Sequence, residues 1–466
     1  MKYNIEIIND MANQFAEMIK MAVIEEQRNN NGTPLIGQIE KEMRTVLLGI
    51  GRKAMGKFLS SMQATPESEI NCPCGGKLQY QRKRTAQVIS VFDRVQYERA
   101  YYAGCRCKQG RAPLDEQFGL KPGAVTAGLA TLLGLAGIEF SFDESPKWLR
   151  EFLLFDVAQN TVRSETEKLG ELQRELETEL IQQSQDEIYL QKREHDPGNI
   201  PARLYGSMDA AKVRIEPRPK QGEKPSEYEE WRDMKVLAWF EVEHVSPAQR
   251  SKRQHQKAER DQTALRAKSL QYFCDIIEAE QFGKLLWASG CSLKADLSPE
   301  LIFLGDGAVW IWNLVSHYYP KAVQIVDWYH AEEHLETLAC VAFSDPQARA
   351  NWLENAKQLL WDGLVEQVIM ACKALANSCP IAQKTANYFF TNAERMRYDQ
   401  FRAANYMIGS GSVESACKQI VTERLKLPGA QWLVDGAVQT AKARAAWLSG
   451  HWHSLCERRS RLPLAF

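Results

Sequence analysis

Between residues 200 and 326, apolar segments of strand length alternate with helical patterns, and this alternation restricts the fold more than any other feature of the sequence. Strands are predicted at 203–208, 211–216, 234–243, 301–305 and 322–326. Helices are predicted around 259–285 and at 308–317. Strands that are separated by helices favour a sheet with parallel neighbours. The segment is therefore predicted to form an α/β core.

Two of the predicted strands end in an aspartate. LYGSMD places Asp209 at the end of the first strand, and LIFLGD places Asp306 at the end of the fourth. A third acid, Glu414, lies in the first turn of the last predicted helix, which runs from Ser412 to about Lys426. Strand ends in such a sheet form a crevice in which ligands bind. Three strands, a helix, then strand, helix and strand is the order of elements at the front of an RNase H-like fold.

These three acids have the chemistry that metal-dependent phosphoryl transfer requires. Hard oxygen ligands can hold two Mg²⁺ ions, or Mn²⁺ in their place, about 3.5–4 Å apart, one activating the attacking oxygen and one stabilising the leaving oxygen. Asp209 would bridge both ions, and Asp306 and Glu414 would each bind one. Taken singly, the aspartates could be turn residues, and Glu414 could pair with Lys418 on a solvated helix face. The combination of all three favours a catalytic site.

Four blocks of the sequence resemble a known family. They are GDGAVWIW, VDWYHAEEHL, GSGSVESACKQIVTERLKLPGAQW and AKARAAWL. They are similar to the hallmark blocks of bacterial insertion-sequence transposases of the Kra type, relatives of the Mutator-like superfamily. The resemblance implies that Asp209, Asp306 and Glu414 form a DDE triad, with a helical insertion before the glutamate. It also implies a supporting role near the site for Asp327 and His330, which match an aspartate and histidine motif of the family.

Two other enzyme classes are disfavoured because their motifs are not present with the required spacing. His330 and His334 lie one helical turn apart, but a zinc metalloprotease has Glu directly after the first His, where Ala331 stands. A serine hydrolase is disfavoured because GSGSVES does not give Gly-x-Ser-x-Gly around Ser410 or Ser412. The two serines are interpreted as N-cap candidates for the last helix. His330 is interpreted as a capping or packing residue, and His334 as a solvent-facing residue.

Four of the 11 cysteines fall in two tight pairs, Cys72 with Cys74 and Cys105 with Cys107, on either side of a β-rich segment. In a reducing compartment, paired cysteines indicate a metal before a disulfide. Four thiolates suit tetrahedral Zn²⁺, so a zinc-ribbon-like module with a structural zinc ion is predicted. Each pair has one residue fewer than the usual Cys-x-x-Cys, and buried thiols without metal are the alternative.

The segment between the cysteine pairs is locally basic. From residue 72 to 111, nine Lys and Arg residues stand against two acids, a net charge of +7. Such a charge is typical of a surface that binds phosphates. We predict DNA contacts from Arg82, Lys83 and Arg84.

The segment 143–170 reads as a helix, a short turn and a second helix. Two helices and a turn also occur in any helical domain, but the family resemblance favours a helix-turn-helix that reads DNA. The second helix offers base-edge donors from Gln159, Asn160 and Arg163.

The net charge of −1 excludes a global basic field as the attraction to DNA, so contacts must come from local patches. The N-terminus lacks the basic start and apolar core of a signal peptide, and the longest uncharged apolar stretch, Pro122 to Ile138, is short. We expect a bacterial cytoplasmic protein, nucleoid-associated when bound to DNA, with no membrane partner.

These patterns predict several domains. They are 1–65, an N-terminal helical region; 66–120, the zinc-ribbon-like β module; 121–195, the helical DNA-binding region; 200–329, the first part of the RNase H-like core; 330–405, an all-helical insertion; and 406–466, the last core helix with C-terminal helices.

The expected function is that of a DNA transposase. It would hydrolyse DNA at transposon ends, and the freed 3′-hydroxyl would then attack target DNA. Its partners would be double-stranded terminal repeats and target DNA, with at least a homodimer on DNA because two ends are cut and joined. Two alternatives stay open: a structure-selective nuclease that uses the same acids with water alone, and a catalytically silent DNA-binding protein derived from a transposase.

Overall fold

The computed structural model describes residues 36–63, 65–195, 198–216, 231–245, 265–377, 379–409 and 411–462, with isolated positions between 9 and 24. The chain divides into two compact units, one of Met1–Leu169 with His453–Phe466 and one of Gly170–Trp452. This division is coarser than the six predicted regions, whose boundaries stay predictions. None of the described helices combines the length and the apolar character that crossing a membrane requires.

The described part of the chain contains both helices and strands. In chain order they are α1 (Ile36–Ser61), β1 (Glu69–Asn71), β2 (Lys77–Ser90), β3 (Asp93–Ala103), α2 (Pro113–Phe118), α3 (Ala127–Glu139), α4 (Ser145–Leu153), α5 (Gln159–Gln183), α6 (Glu187–His195), β4 (Arg203–Arg214), β5 (Trp231–His244), β6 (Leu265–Asp275), α7 (Ala279–Ser292), β7 (Glu300–Gly305), α8 (Val309–Tyr318), β8 (Val323–Val326), α9 (Trp328–Ala342), α10 (Pro346–Trp361), α11 (Val365–Ala374), α12 (Ala382–Thr391), a 3₁₀ turn (Ala393–Met396), α13 (Tyr398–Ala403), α14 (Gly411–Ala416), a π-helix (Cys417–Thr422), α15 (Glu423–Leu425), α16 (Val434–Leu448) and α17 (Trp452–Arg461).

The first unit contains an antiparallel sheet in the order β1-β2-β3. β3 is an edge strand, and the end of α1 covers it: the backbone N–H of Glu98 donates to Ser60 Oγ at 3.0 Å, and that of Ala100 donates to Gln63. Uncovered N–H groups at such an edge would be free to pair with another strand. Some apolar side chains of this sheet, including Val88 and Val95, are buried with Leu59 and Leu114.

The helices α3, α4 and α5 of the first unit share an apolar core that includes Leu133, Leu149 and Val162. At Gly137 in α3, an added Cβ would lie 2.0 Å from Thr166 Oγ1 in α5. Only glycine therefore permits this close helix crossing. The predicted helix, turn and helix are present as α4 and the start of α5.

The second unit contains a five-stranded sheet in the order β6-β5-β4-β7-β8. β4, β5 and β6 pair antiparallel, whereas β4 with β7 and β7 with β8 pair parallel. The run Val236–Phe240 in β5 is buried at every residue, as expected for a strand covered on both faces. The predicted α/β class is confirmed.

Two details of the predicted core are wrong. The helix expected around 259–285 is a strand over Leu265–Asp275 and a helix only from Ala279, and 259–264 lie outside the described residues. LRAKSLQYFCD is rich in helix-forming residues, but pairing with β5 outweighs that propensity. The two strands predicted at 203–208 and 211–216 are one strand, because β5 pairs with β4 as far as Arg214.

A buried ion cluster joins α16 to the sheet and to the end of α5. The ammonium group of Lys442, whose side chain is 1% exposed, contacts the Glu177 carboxylate and lies 2.9 Å from Asp275 Oδ2. It also donates to the Cys274 carbonyl at 2.8 Å. The cation thus contacts three oxygen acceptors.

Replacing Lys442 by methionine is expected to lower the free energy of unfolding by about 3–5 kcal/mol, because two carboxylates would lose their buried cation. Urea unfolding measures the change. Adding Glu177→Gln and Asp275→Asn should recover part of the loss. A Lys442→Met variant that unfolds at the wild-type urea concentration would show that the cluster contributes nothing.

Candidate active site and cysteine cluster

Three aspartates lie at the carboxyl ends of three neighbouring strands. In the parallel pair β4 and β7, Asp209 and Asp306 each lie two residues beyond Ser207 and Leu304, the last paired residues. Asp327 follows β8 directly, as Asp306 follows β7. Asp209 lies inside β4 and not at its end as predicted. β4 extends beyond the end of β7, and Asp209 lies in that extension. The acids therefore line one edge of the parallel part of the sheet.

Asp209 is half-buried, and the Ala210 N–H donates to its Oδ1 at 2.7 Å. Burial raises the pKa of Asp209, and the negative charge of Asp306 raises it further. The buried Cys417 thiol forms a hydrogen bond with this carboxylate and partly offsets that rise in pKa. The two carboxylates are close enough to repel each other and would gain from a shared cation.

Asp306 lies on a tight turn between β7 and α8. Its Oδ1 accepts a hydrogen bond from the Ala308 N–H at 2.8 Å. Gly307, next in the chain, has a φ of +96°, which favours glycine. The Tyr388 hydroxyl donates to the Asp306 carbonyl oxygen at 2.9 Å. Backbone and carboxylate of this residue are therefore both held.

Asp327 is fully buried and caps α9, since its Oδ1 accepts from the His330 N–H at 2.9 Å. The His330 Nδ1 lies 3.5 Å from the same oxygen, and its interaction with the Asp327 carboxylate raises the pKa of His330 to about 9. His330 is thus positively charged at neutral pH beside Asp306 and Asp209. His334 is not solvent-facing as predicted: it is half-buried, and its ring lies 3.8 Å from that of Tyr388.

Glu414 belongs to α14, but its side chain and those of Ser410 and Ser412 lie outside the described residues. α14 packs against β4 and β5. The chain reaches α14 past the start of α9, where the Trp328 N–H donates to the Ile408 carbonyl at 2.9 Å. Cys417, one helical turn after Glu414, contacts Asp209. The backbone that carries Glu414 therefore lies beside the strand that carries Asp209.

The helical segment after Glu414 is anchored at three points. Arg444, of the block AKARAAWL, donates to the Gln419 carbonyl in the π-helix. The Trp432 indole N–H donates to the Leu425 carbonyl at 3.0 Å. The Trp432 carbonyl accepts from the Glu216 N–H, beyond the end of β4, at 2.7 Å. Two blocks of the resemblance thus hold the glutamate helix against the sheet.

The chemistry of this edge fits a hard divalent cation. Asp209 and Asp306 are half-buried carboxylates, each with one oxygen bound by a local N–H, and carboxylate oxygens are preferred ligands of Mg²⁺ and Mn²⁺. Among the described side chains, however, the only group of three or more closely spaced ligands is the set of four cysteines.

The ligand sulfurs of Cys72, Cys74, Cys105 and Cys107 all lie within 4.8 Å of one another. The Sγ of Cys74 is 3.3 Å from those of Cys72 and Cys105, and the Sγ atoms of Cys72 and Cys107 are 3.5 Å apart. Zinc–sulfur bonds of about 2.3 Å in a tetrahedron require sulfurs roughly 3.8 Å apart. The cluster could bind a metal ion such as zinc, despite the short spacing of each pair.

The backbone around the cysteines is shaped to bring the sulfurs together. A Cβ at Gly76 would lie 2.7 Å from Cys105 Sγ, so only glycine fits there. The Gly76 N–H donates to Cys74 and lowers the pKa of that thiol, which favours the thiolate that binds metals. The Cys72 N–H donates to the Gly76 carbonyl at 2.8 Å and closes the turn.

The basic residues predicted to contact DNA lie in β2. Arg82, Lys83 and Arg84 are all exposed. The Arg84 guanidinium lies 3.6 Å from the centre of the Tyr101 ring, and Lys83 lies 3.8 Å from Glu98. Among the described residues, no carboxylate pairs with Arg82.

Other charges of the +7 segment are already paired. Lys77 contacts Glu69, Arg99 contacts Asp115 and Arg111 contacts Glu116. The acidic partners of these three residues lie outside the stretch 72–111. They are Glu69, Asp115 and Glu116. The basic surface therefore carries fewer unpaired positive charges than the net charge of +7 indicates.

Gln159, Asn160 and Arg163 are exposed in the first turns of α5, while Val162 between them is buried. Arg163 lies 3.9 Å from Glu167, one turn later. The three polar side chains thus form the solvent-facing start of the second helix.

Cys417 and Tyr388 contact the site but were not predicted as site residues. Cys417 lies in the block that carries Glu414, and its spacing of one helical turn is a signal that could have identified it. No local pattern identifies Tyr388, because it reaches Asp306 from 82 residues away.

Comparison with models of protein families gave no match to this sequence, and comparison with curated proteins gave none either.

Proposed function

We propose that this protein is a DDE transposase that hydrolyses a phosphodiester at each transposon end and joins the freed 3′-hydroxyl to a phosphate of target DNA, displacing the 3′-hydroxyl of the target strand. The observation that carries the proposal is the alignment of Asp209 and Asp306 on neighbouring parallel strands, with the helix of Glu414 packed against the strand of Asp209.

The order of elements in the second unit supports an RNase H-like core. Three strands, a helix, then strand, helix and strand follow one another from β4 to β8. The five helices between Trp328 and Ala403 stand where the resemblance puts a helical insertion, between the second aspartate and the glutamate.

In the proposed reaction, Asp209, Asp306 and Glu414 would hold two Mg²⁺ or Mn²⁺ ions. When bound, these ions supply activation of the attacking oxygen and stabilise the leaving oxygen. Asp209 lies on β4, which pairs with the strand before Asp306 and contacts the helix that carries Glu414. Asp327 caps the helix that carries His330 and lies 3.5 Å from its Nδ1, so it would orient His330 beside the proposed metal site.

The cysteine cluster would hold a structural Zn²⁺ ion. Its four sulfurs and the glycine at position 76 fit a closed site without an open position, as in structural zinc modules. The ion would fix β1 and β2 to the turn after β3, and so hold the exposed basic strand in one shape.

The exposed residues of β2 and α5 would contact double-stranded DNA, the first by binding phosphates and the second by reading bases. Two transposon ends must be held together during cutting and joining. We therefore expect at least two chains in the active DNA complex.

Replacing Arg82 and Arg84 by alanine is expected to weaken DNA binding about 3- to 10-fold and to reduce the salt dependence by about one unit of slope per lost phosphate contact. Fluorescence anisotropy at several salt concentrations measures both. Lys77→Ala on the same strand is the control, since its charge is paired with Glu69 at 2.8 Å. An unchanged salt slope in the double variant would remove β2 from the DNA interface.

Transposition and simple nuclease activity give different products. Wild-type protein, labelled DNA from the borders of the gene and a circular target plasmid are incubated with Mg²⁺. A transposase yields labelled DNA covalently joined to the plasmid. A structure-selective nuclease yields cut ends without joined products, and a silent DNA-binding protein yields neither.

A further inference from the structure

A tyrosine from the helical region between β8 and α14 contacts the turn that carries Asp306. The Tyr388 hydroxyl donates to the Asp306 carbonyl oxygen at 2.9 Å. An added Cβ at Gly307 would lie 2.7 Å from Tyr388 Cε2, so the ring packs directly on the turn. Burial raises the pKa of Tyr388, so its hydroxyl keeps the donated proton.

The ring of Tyr388 is held in turn by a histidine. His334 lies in α9 and Tyr388 in α12, and their ring centres are 3.8 Å apart with planes tilted by 31°. Two helices of the helical region therefore meet at this contact. The helical region between Asp306 and Glu414 therefore does more than connect these two acids. Its residue Tyr388 contacts the backbone of Asp306.

We propose that Tyr388 and His334 form a brace that positions Asp306 for binding divalent metal. Both are positioning residues, since they act through the Asp306 turn. This inference rests on the proposed function, because it assumes that Asp306 is a metal ligand. The local Asx-type hydrogen bond to Ala308 fixes one carboxylate oxygen, and the brace fixes the backbone from which the carboxylate extends.

Mn²⁺ binding to the zinc-loaded, DNA-free protein, followed by electron paramagnetic resonance, tests the brace without requiring activity. Tyr388→Phe removes the hydroxyl and keeps the ring. A lost hydrogen bond of ordinary strength should raise the Kd for Mn²⁺ about 3- to 10-fold. His334→Ala should raise it in the same direction, and the two changes together should be less than additive, because both act on one ring. DNA cleavage by Tyr388→Phe should recover as Mn²⁺ is raised to saturation, because mass action refills a weakened site.

Tyr406→Phe is the matched control. Its hydroxyl contacts Glu300 at 3.3 Å, at the start of the same strand that ends before Asp306. It should leave the Kd for Mn²⁺ unchanged. Urea unfolding of both variants separates a loss of stability from a loss of metal affinity.

The Asp306→Ala variant distinguishes a failure of the brace from a failure of the proposed function. If Asp306→Ala weakens Mn²⁺ binding and Tyr388→Phe does not, the brace is refuted while the proposed function stands. If Asp306→Ala binds Mn²⁺ like wild type, Asp306 is not a ligand, and both the proposed function and the brace are wrong.

Discussion

Alanine in place of Asp209, Asp306 or Glu414 is expected to abolish DNA cleavage while DNA binding stays intact. Each change removes an oxygen ligand from the proposed metal site and leaves the basic strand and the start of α5 untouched. A residue that only transfers protons would cost about 10²–10⁴-fold, so loss to background in all three variants favours metal binding over proton transfer.

Conservative changes refine this expectation. Asp209→Asn should be nearly as damaging as alanine, because the amide keeps the shape but loses the charge that holds two cations. Asp306→Glu or Glu414→Asp should retain traces of activity with Mn²⁺, since Mg²⁺ demands stricter geometry. The measurements are a cleavage assay and a mobility-shift assay on the same preparations.

Asp233→Ala provides the control for these variants. Asp233 lies on β5 of the same sheet, is exposed and pairs with Lys212 at 3.5 Å. Its replacement should change neither cleavage nor binding. A Glu414→Ala variant that cuts normally would show that the third ligand has been placed wrongly.

Removing two thiols of the cysteine cluster is expected to release zinc and unfold the module around it. Purified wild-type protein should carry about one Zn²⁺ per chain, and Cys72→Ser with Cys105→Ser should carry none. Structural zinc contributes roughly 10–16 kcal/mol of binding free energy in small zinc-finger peptides, which is more than a sheet of this size gains from its core. DNA affinity should fall by at least about tenfold, because β2 loses its shape.

Elemental analysis and DNA titration test the zinc prediction together. Cys340→Ser, an exposed cysteine in α9, is the control and should keep both zinc and DNA affinity. Protein purified without chelators that contains no zinc would contradict the prediction. The proposed catalytic site would be unaffected by that result.

The positions of the two aspartates could be predicted because strand ends leave a strong local signal. LIFLGD is a short apolar run that stops at an acid, and β7 does stop there. LYGSMD looks the same, yet β4 continues to Arg214 because β5 supplies pairing partners beyond Asp209. The prediction placed Asp209 at this edge of the sheet but gave the strand an incorrect end, since strand length is set by the neighbouring strand.

β6 and Tyr388 show where local patterns fail. Lys, Ala, Arg and Leu in LRAKSLQYFCD favour a helix, but β5 offers an open edge that turns the segment into a strand. Tyr388 contacts the site because the helical region folds back over 82 residues, and no spacing in the sequence encodes that contact. Long-range contacts determine both the strand conformation of β6 and the position of Tyr388.

The cysteine pairs show the opposite case. Their spacing departs from the usual zinc motif, yet the turn at Gly76 and the turn after Gly104, with a φ of +100°, bring the four sulfurs together. Residue types that bind metal were therefore a better guide than the length of the spacer between them.

The most direct test of the central claim is cleavage of labelled border DNA by the wild-type protein, with Mg²⁺ and with EDTA, beside the Asp306→Ala variant. The proposed function predicts strand cuts that leave a 3′-hydroxyl with Mg²⁺, none with EDTA, and none from Asp306→Ala at any Mg²⁺ concentration. Cleavage that persists in EDTA, or that Asp306→Ala carries out at the wild-type rate, would contradict it.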